Sequence, residues 1–258
     1  MTIWHALTWI NNVLESLFSS LSPEQKIYLS VVGTLIALTG YGWTIFKTIR
    51  DRHKIGGTAP NPMTWFGFAG LTGVGALVQF IAERTKGSGI GALTMGVTAV
   101  ACVFQAGASV IWKKGGWHRN NFKIEDWCAL VAGAICSLIY IFSKQLSVTP
   151  FAAATFATVA DLLLYIPAIR SSWTFPRGEN AFGYSMQSLK NIPAIAALSV
   201  YSPETWMYPM MLLFMNSAMI VYFVSRRAFV TVEQEKRSKE EQDRRRAENA
   251  RRKSQALA

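Results

Sequence analysis

Tyr165-Ile166-Pro167-Ala168-Ile169-Arg170 closes one long apolar run, and Ile45-Phe46-Lys47-Thr48-Ile49-Arg50 closes another about 120 residues earlier. Each is followed by a polar loop with proline and asparagine: Ala59-Pro60-Asn61-Pro62 in the first case, Pro176 to Asn180 in the second. Each loop then gives way to an aromatic start, Trp65-Phe66 or Phe182 and Tyr184. Self-similarity at a fixed offset marks a repeated unit. The offset carries the first three apolar runs onto the last three and leaves one in the middle. Two three-helix units of the same orientation cannot be joined without an extra crossing, so topology requires the odd run.

The runs are of membrane length. A crossing helix needs about 20 mainly apolar residues, and seven runs are assigned as spans: about 27–46, 63–82, 90–112, 127–143, 148–169, 183–200 and 205–225. The expected fold is an all-α membrane protein in a 3+1+3 arrangement, with repeats over 26–113 and 148–227 and a linker helix over 126–144. Composition agrees. Of 258 residues, 51% are hydrophobic and 16% charged, against about 25% charged in soluble domains. That excludes a soluble enzyme and a disordered chain. Three cysteines, Cys102, Cys128 and Cys136, have no framework spacing and lie in apolar stretches, where they read as small buried hydrophobes. Gly67, Gly70, Gly73 and Gly75 in the second span suggest close helix packing.

Both termini differ from the body. In residues 1–22, Trp4, Leu7, Ile10, Leu14, Leu17 and Phe18 share a helical face, with Asn11, Asn12 and Glu15 elsewhere. This predicts an amphipathic helix in the membrane interface, anchored by Trp4 and Trp9, with an eighth span as the alternative. The tail, 228–258, is a charged helix with acid-before-base pairs at four-residue spacing, such as Glu233–Arg237 and Glu240–Arg244. It is expected to be solvated, with Arg244-Arg245-Arg246 and Arg251-Arg252-Lys253 available to anionic lipid or an acidic partner. Loops on the C-terminal side and the tail hold 21 Lys and Arg, against four on the opposite side. The positive-inside rule makes the C-terminus cytoplasmic and the N-terminus external, in a plasma (inner) membrane. The net charge of +11 belongs to this pattern, not to nucleic-acid binding.

The Tyr165–Arg170 and Ile45–Arg50 segments, the Pro60-Asn61-Pro62-Met63-Thr64-Trp65 entry and the 3+1+3 plan resemble the SWEET/PQ-loop (SemiSWEET-like) superfamily. The likeness covers about residues 26–227 and is nearest to uncharacterised bacterial seven-helix membrane proteins of this type. They share the pattern from Asp161 to Pro167, the Trp173 to Asn180 loop and the Tyr208-Pro209 entry. The superfamily's proline–glutamine pair is replaced here by Phe46-Lys47 and Pro167-Ala168. The resemblance implies a facilitative carrier of sugars or other small polar solutes, and asparagines in the third span of each repeat as sugar contacts. Asn216 fits that role best.

Ionisable groups inside spans are costly and face a cavity or a partner. Asp161 lies about 13 Å, and Lys190 about 10 Å, from the cytoplasmic ends of consecutive antiparallel spans. An ion pair is expected, either locking two helices or lining a solute cavity. Gln105 and Asn216, on counterpart spans, are placed to face one another across the pseudo-symmetry axis. The alternative for each is an interhelical hydrogen bond of about 1 kcal/mol. Asn191 and Gln187 are weaker candidates. Trp43 and Tyr165 offer an aromatic face for a sugar ring, or belong to the interfacial belt. Pro167 and Pro193 are expected to kink the fifth and sixth spans as hinges. No catalytic, metal or cofactor constellation is legible, and His5, His53 and His118 lie far apart. Two functions follow: a carrier of a small polar solute, alone in the lipid or within a homo-oligomer or larger membrane complex, and a non-transporting scaffold or accessory subunit docking a partner through its terminal helices.

Overall fold

The computed structural model describes residues 3–50, 62–84, 90–111, 124–142, 150–174, 176–177 and 179–234, with isolated positions of the tail. Among these the chain is helical and no strand occurs: α1 (Ile3–Phe18), α2 (Pro23–Arg50), α3 (Pro62–Arg84), α4 (Leu93–Ile111, after a 3-10 turn at Ile90–Ala92), α5 (Ile124–Ile141), α6 (Pro150–Thr174), α7 (Ala181–Leu189), α8 (Asn191–Ala196) and α9 (Pro203–Phe229). Among the described residues, four helical stretches are long and apolar enough to cross a membrane: Pro23–Arg50, Thr64–Arg84, Ile90–Ile111 and Pro203–Phe229. Much of the loop charge that sets the expected orientation (51–61, 85–89 and 112–123) lies outside the described residues.

Local sequence explains where the helices begin. The Ser22 N–H donates to Gln25 Oε1 (2.8 Å) and the Gln25 N–H to Ser22 Oγ (3.2 Å). This reciprocal cap, with Pro23 in the first helical position, fixes the start of α2. Pro203 opens α9 in the same way, after the Ser202 N–H has bonded Thr205 Oγ1 (3.1 Å). A second reciprocal cap, Thr231 N–H to Gln234 Oε1 (2.9 Å) and Gln234 N–H to Thr231 Oγ (3.2 Å), starts a new helical segment beyond α9. There Glu233 pairs with Arg237 at 3.5 Å, as expected, whereas Arg244 pairs with Glu248 at 4.0 Å in base-before-acid order. All four are exposed, so these pairs stabilise little.

The sixth apolar run differs from expectation. It forms two short helices, α7 and α8, meeting at Lys190. Pro193 has no N–H for the Leu189 carbonyl and its ring crowds that oxygen, so the helical ladder breaks one turn before the proline. The backbone at Lys190 stays right-handed (φ −59°, ψ −26°), and the Asn191 side-chain Nδ2 donates to the Gln187 backbone carbonyl (2.6 Å) across the break. Pro167, by contrast, sits inside an unbroken α6.

Packing is organised around α4 and α9. α4 lies against both α2 and α3, and α9 against both α6 and α7; α2 also meets α7, α3 meets α6, and α5 rests on α3 and α6. Tyr41, Trp65, Phe68, Leu71, Leu164, Tyr165, Met219 and Phe223 form the central apolar core. The outward faces carry large apolar side chains such as Leu35, Phe104, Val131, Phe214 and Val221, while Glu83, Asp161 and Lys190 are buried. An apolar exterior around buried charge is the arrangement of a membrane protein.

Small residues set three of the contacts. A Cβ at Gly40 would lie 2.5 Å from the Met186 Cβ, and one at Gly67 would lie 2.6 Å from Leu164 Cδ2. Gly75 likewise admits the Tyr208 ring, whereas Gly70 has open space and Gly73 only an ordinary contact with Ala99. Two of the four glycines in α3 therefore serve close packing. Gly40→Val is expected to push α7 off α2 and cost about 1–3 kcal/mol, while Gly70→Val leaves the melting temperature in detergent unchanged. Equal melting temperatures for the two would refute the close-contact reading.

α1 is docked as well as amphipathic. Leu14 is buried, and Leu7, Ile10 and Phe18 pack with it against Ile195, Leu198 and Trp206. The Trp206 indole donates to Asn11 Oδ1 at 3.2 Å, so a residue assigned to the polar face makes the specific contact. Trp9 points outward and is exposed.

Candidate functional site

Buried polar groups concentrate where α2, α3, α4, α6, the α7–α8 junction and α9 converge. α4 supplies a polar stripe at helical spacing: Thr94, Thr98, Cys102, Gln105 and Ser109, all buried. The Lys190 ammonium donates to Thr98 Oγ1 (2.9 Å) and approaches Met95 Sδ (4.0 Å). Asp161, fully buried on α6, has no hydrogen-bond partner for either carboxylate oxygen. The Tyr208 hydroxyl lies near that carboxylate but makes its close contact with Thr72 Oγ1 (3.0 Å). Tyr41 and Cys102 complete the cluster with a 3.0 Å contact between hydroxyl and thiol.

The expected Asp161–Lys190 ion pair is not formed. The two charges act on one another across the interior without touching. The reason is the break in the sixth run: α7 packs mainly on α2 and α9, not along α6, and Lys190 at its end reaches α4. Gln105 and Asn216 also depart from the facing arrangement. The Gln105 amide donates to Thr48 Oγ1 of α2 (3.2 Å), and Asn216 Oδ1 accepts from the Tyr165 hydroxyl of α6 (3.1 Å). Each amide thus holds a neighbouring helix, which is the interhelical alternative. Tyr165 is buried and packs at a tilt against Phe68 (5.0 Å between ring centres). Trp43 lies elsewhere: it is 39% exposed, beside Phe46 and Phe182, with Lys47 over its ring. It belongs to the outer face because α2 turns Tyr41, Thr44 and Thr48 inward. Asn191 is buried with Oδ1 unpartnered, and both polar atoms of the Gln187 amide are unpartnered. Pro193 packs close to Gly33.

A third buried charge, Glu83 at the end of α3, escaped sequence reading because it sits beside Arg84 at a span boundary. Its carboxylate accepts from the N–H groups of Gly91 (2.9 Å) and Ser199 (3.2 Å). Lys26 donates to the Leu198 carbonyl (2.8 Å) and lies over the Tyr201 ring. Burial first, and the Glu83 charge second, hold the Tyr201 hydroxyl above the usual phenol range. It therefore stays protonated and donates to the carbonyls of Ile195 (3.2 Å) and Ala196 (3.1 Å). This clasp joins the ends of α2 and α3 to the segment after α8.

The opposite end is tied by arginines. Arg177 donates to the carbonyls of Val230 (2.7 Å) and Arg227 (3.2 Å), Arg227 to those of Glu179 (2.7 Å) and Pro176 (3.2 Å), and Arg226 to that of Trp173 (2.7 Å). Cations at the last carbonyls of α9 also complement its dipole. Asn180 donates to Thr44 Oγ1 (3.0 Å), linking this end to α2.

No protein-family model, curated protein or solved structure matches the chain. Fold and site together define an all-helical membrane protein with a charged, polar centre where six of its elements meet.

Proposed function

We propose that the protein is a SWEET-like carrier of a small polar solute, working by alternating access between two three-helix units in a seven-span, 3+1+3 plan. The helix contacts support the plan. Exchanging α2, α3 and α4 for α6, α7 and α9 turns the α2–α7 contact into the α6–α3 contact, and both occur. In each unit the third helix also lies between the other two, and α5 stays outside as the linker. The observation that carries the function is the unpaired charge of Asp161 and Lys190, buried where the units meet. Ionisable groups at such a position are the mark of a solute path.

Uptake into proteoliposomes, screened over sugars, amino acids and small vitamins, tests this reading. Concentration-driven uptake of at least one solute is expected. A tail epitope after residue 258 is expected to resist an impermeant reagent in intact cells, and an N-terminal one to react. Lack of uptake for every solute would favour the second reading, a non-transporting scaffold. That reading is supported by the Gln105–Thr48 and Tyr165–Asn216 bonds, which pin helices together.

A further inference from the structure

Two opposite charges free to approach in a low-dielectric interior pair directly, because each otherwise stays desolvated and uncompensated. Here no ion pair joins them. The Lys190 segment is fixed against α2, where the missing Cβ of Gly33 leaves room for the Lys190 carbonyl and Pro193. Asp161 is fixed by α6, whose Leu164 fills the space left by Gly67. Lys190 donates to one hydroxyl, Thr98, and the Asp161 carboxylate accepts no close hydrogen bond, with the Tyr208 hydroxyl near it but bonded to Thr72. Gln187 and Asn191, three residues before and one after Lys190, bring a further unpartnered amide donor and two unpartnered carbonyl oxygens.

The chemistry of a ligand follows from these poles. A neutral sugar leaves both charges without a counter-charge. An amine satisfies only Asp161 and an acid only Lys190, and each adds a net charge to the interior. A small zwitterion satisfies both and keeps the centre neutral. From this geometry we infer that Asp161 and Lys190 are the two poles of a binding site for a zwitterion of the α-amino-acid class. Its ammonium faces Asp161 and the carbonyl oxygens of Gln187 and Asn191. Its carboxylate faces Lys190 and the Gln187 amide nitrogen. The transport of such a ligand rests on the carrier reading; its binding does not.

The full chain in detergent is tested by thermal unfolding with each of the twenty common L-amino acids, methylamine, acetate and glucose at millimolar concentration. Any ligand that shifts the transition is then followed as radiolabelled uptake. At least one amino acid is expected to raise the melting temperature by several degrees, with no shift from methylamine, acetate or glucose. Asp161→Asn and Lys190→Met are each expected to weaken that binding at least tenfold. The doubly neutral variant, which removes both charges at once, guards against loss of fold and is also expected to show no shift. A shift that survives in the doubly neutral variant, or none from any amino acid, overturns the inference. Glucose uptake without amino-acid binding would overturn it and leave the carrier standing. Amino-acid binding without uptake would uphold it and remove the carrier instead.

Discussion

Lys190→Met is expected to be the most damaging single substitution in the interior, at about 3–5 kcal/mol, because it leaves the Asp161 carboxylate buried with no opposite charge. Asp161→Asn is expected to cost less. The lysine it strands keeps its hydrogen bond to Thr98 Oγ1 (2.9 Å), whereas the stranded carboxylate accepts no close hydrogen bond and has only the Tyr208 hydroxyl nearby. The double change removes both desolvated charges, and neutral replacement of a buried pair is commonly neutral or stabilising by about 1–4 kcal/mol. The expected order of stability is therefore double variant at or above the native chain, then Asp161→Asn, then Lys190→Met. Unfolding of the four proteins in one detergent, read as a double-mutant cycle, measures it. If the double variant loses as much as the two singles together, the charges do not communicate.

Glu83→Ala ranks next. One carboxylate satisfies two backbone donors on separate segments, Gly91 and Ser199, and hydrogen bonds to a charged group contribute about 1.5–3 kcal/mol each. Removal is expected to cost about 3 kcal/mol or more and to release the segment after α8 from the end of α3. Glu83→Gln, which keeps one carbonyl acceptor, is expected to fall between. Proteolysis or hydrogen exchange of residues 197–202 reads the local release: faster exchange there in Glu83→Ala, with α9 unaffected, is the expected pattern. Uniform acceleration across all helices would mean that the carboxylate supports the whole fold instead of a clasp.

Helix positions were legible in the sequence where hydropathy dominates. α2, α3 and α9 extend the first, second and seventh apolar runs and α4 falls within the third, because length and composition decide that outcome almost alone. The interruption of the sixth run was signalled by Pro193, but where the break would fall was not. It depends on the carbonyl four residues earlier, and this puts Lys190 at the joint. Depth along a span was computable from sequence, so the two charges were placed in one interior. Which helices become neighbours was not, and the ion pair failed because α7 packs on α2 and α9 instead of along α6. The amides show the same limit. Gln105 and Asn216 are both buried, but their hydrogen-bond partners are Thr48 and Tyr165, not one another. Thr98 and Cys102 had a detectable signal, a polar stripe at three- and four-residue spacing through α4. Glu83 had none, since a glutamate beside an arginine at a helix end reads as solvated.

The docking of α1 also has a consequence in time. Asn11 meets Trp206 across 195 residues of chain. A ribosome adding roughly 5–20 residues per second needs about 10–40 s to cover that distance. Throughout that interval the partners of Leu7, Ile10 and Leu14 do not yet exist. The apolar face of α1 must wait at the membrane surface, where an amphipathic helix is stable, and transfer to α8 and α9 only after the last long helix has emerged. Assembly therefore closes on a helix made long before its partners, and a fusion that holds α1 back would trap the chain one step short of its final form.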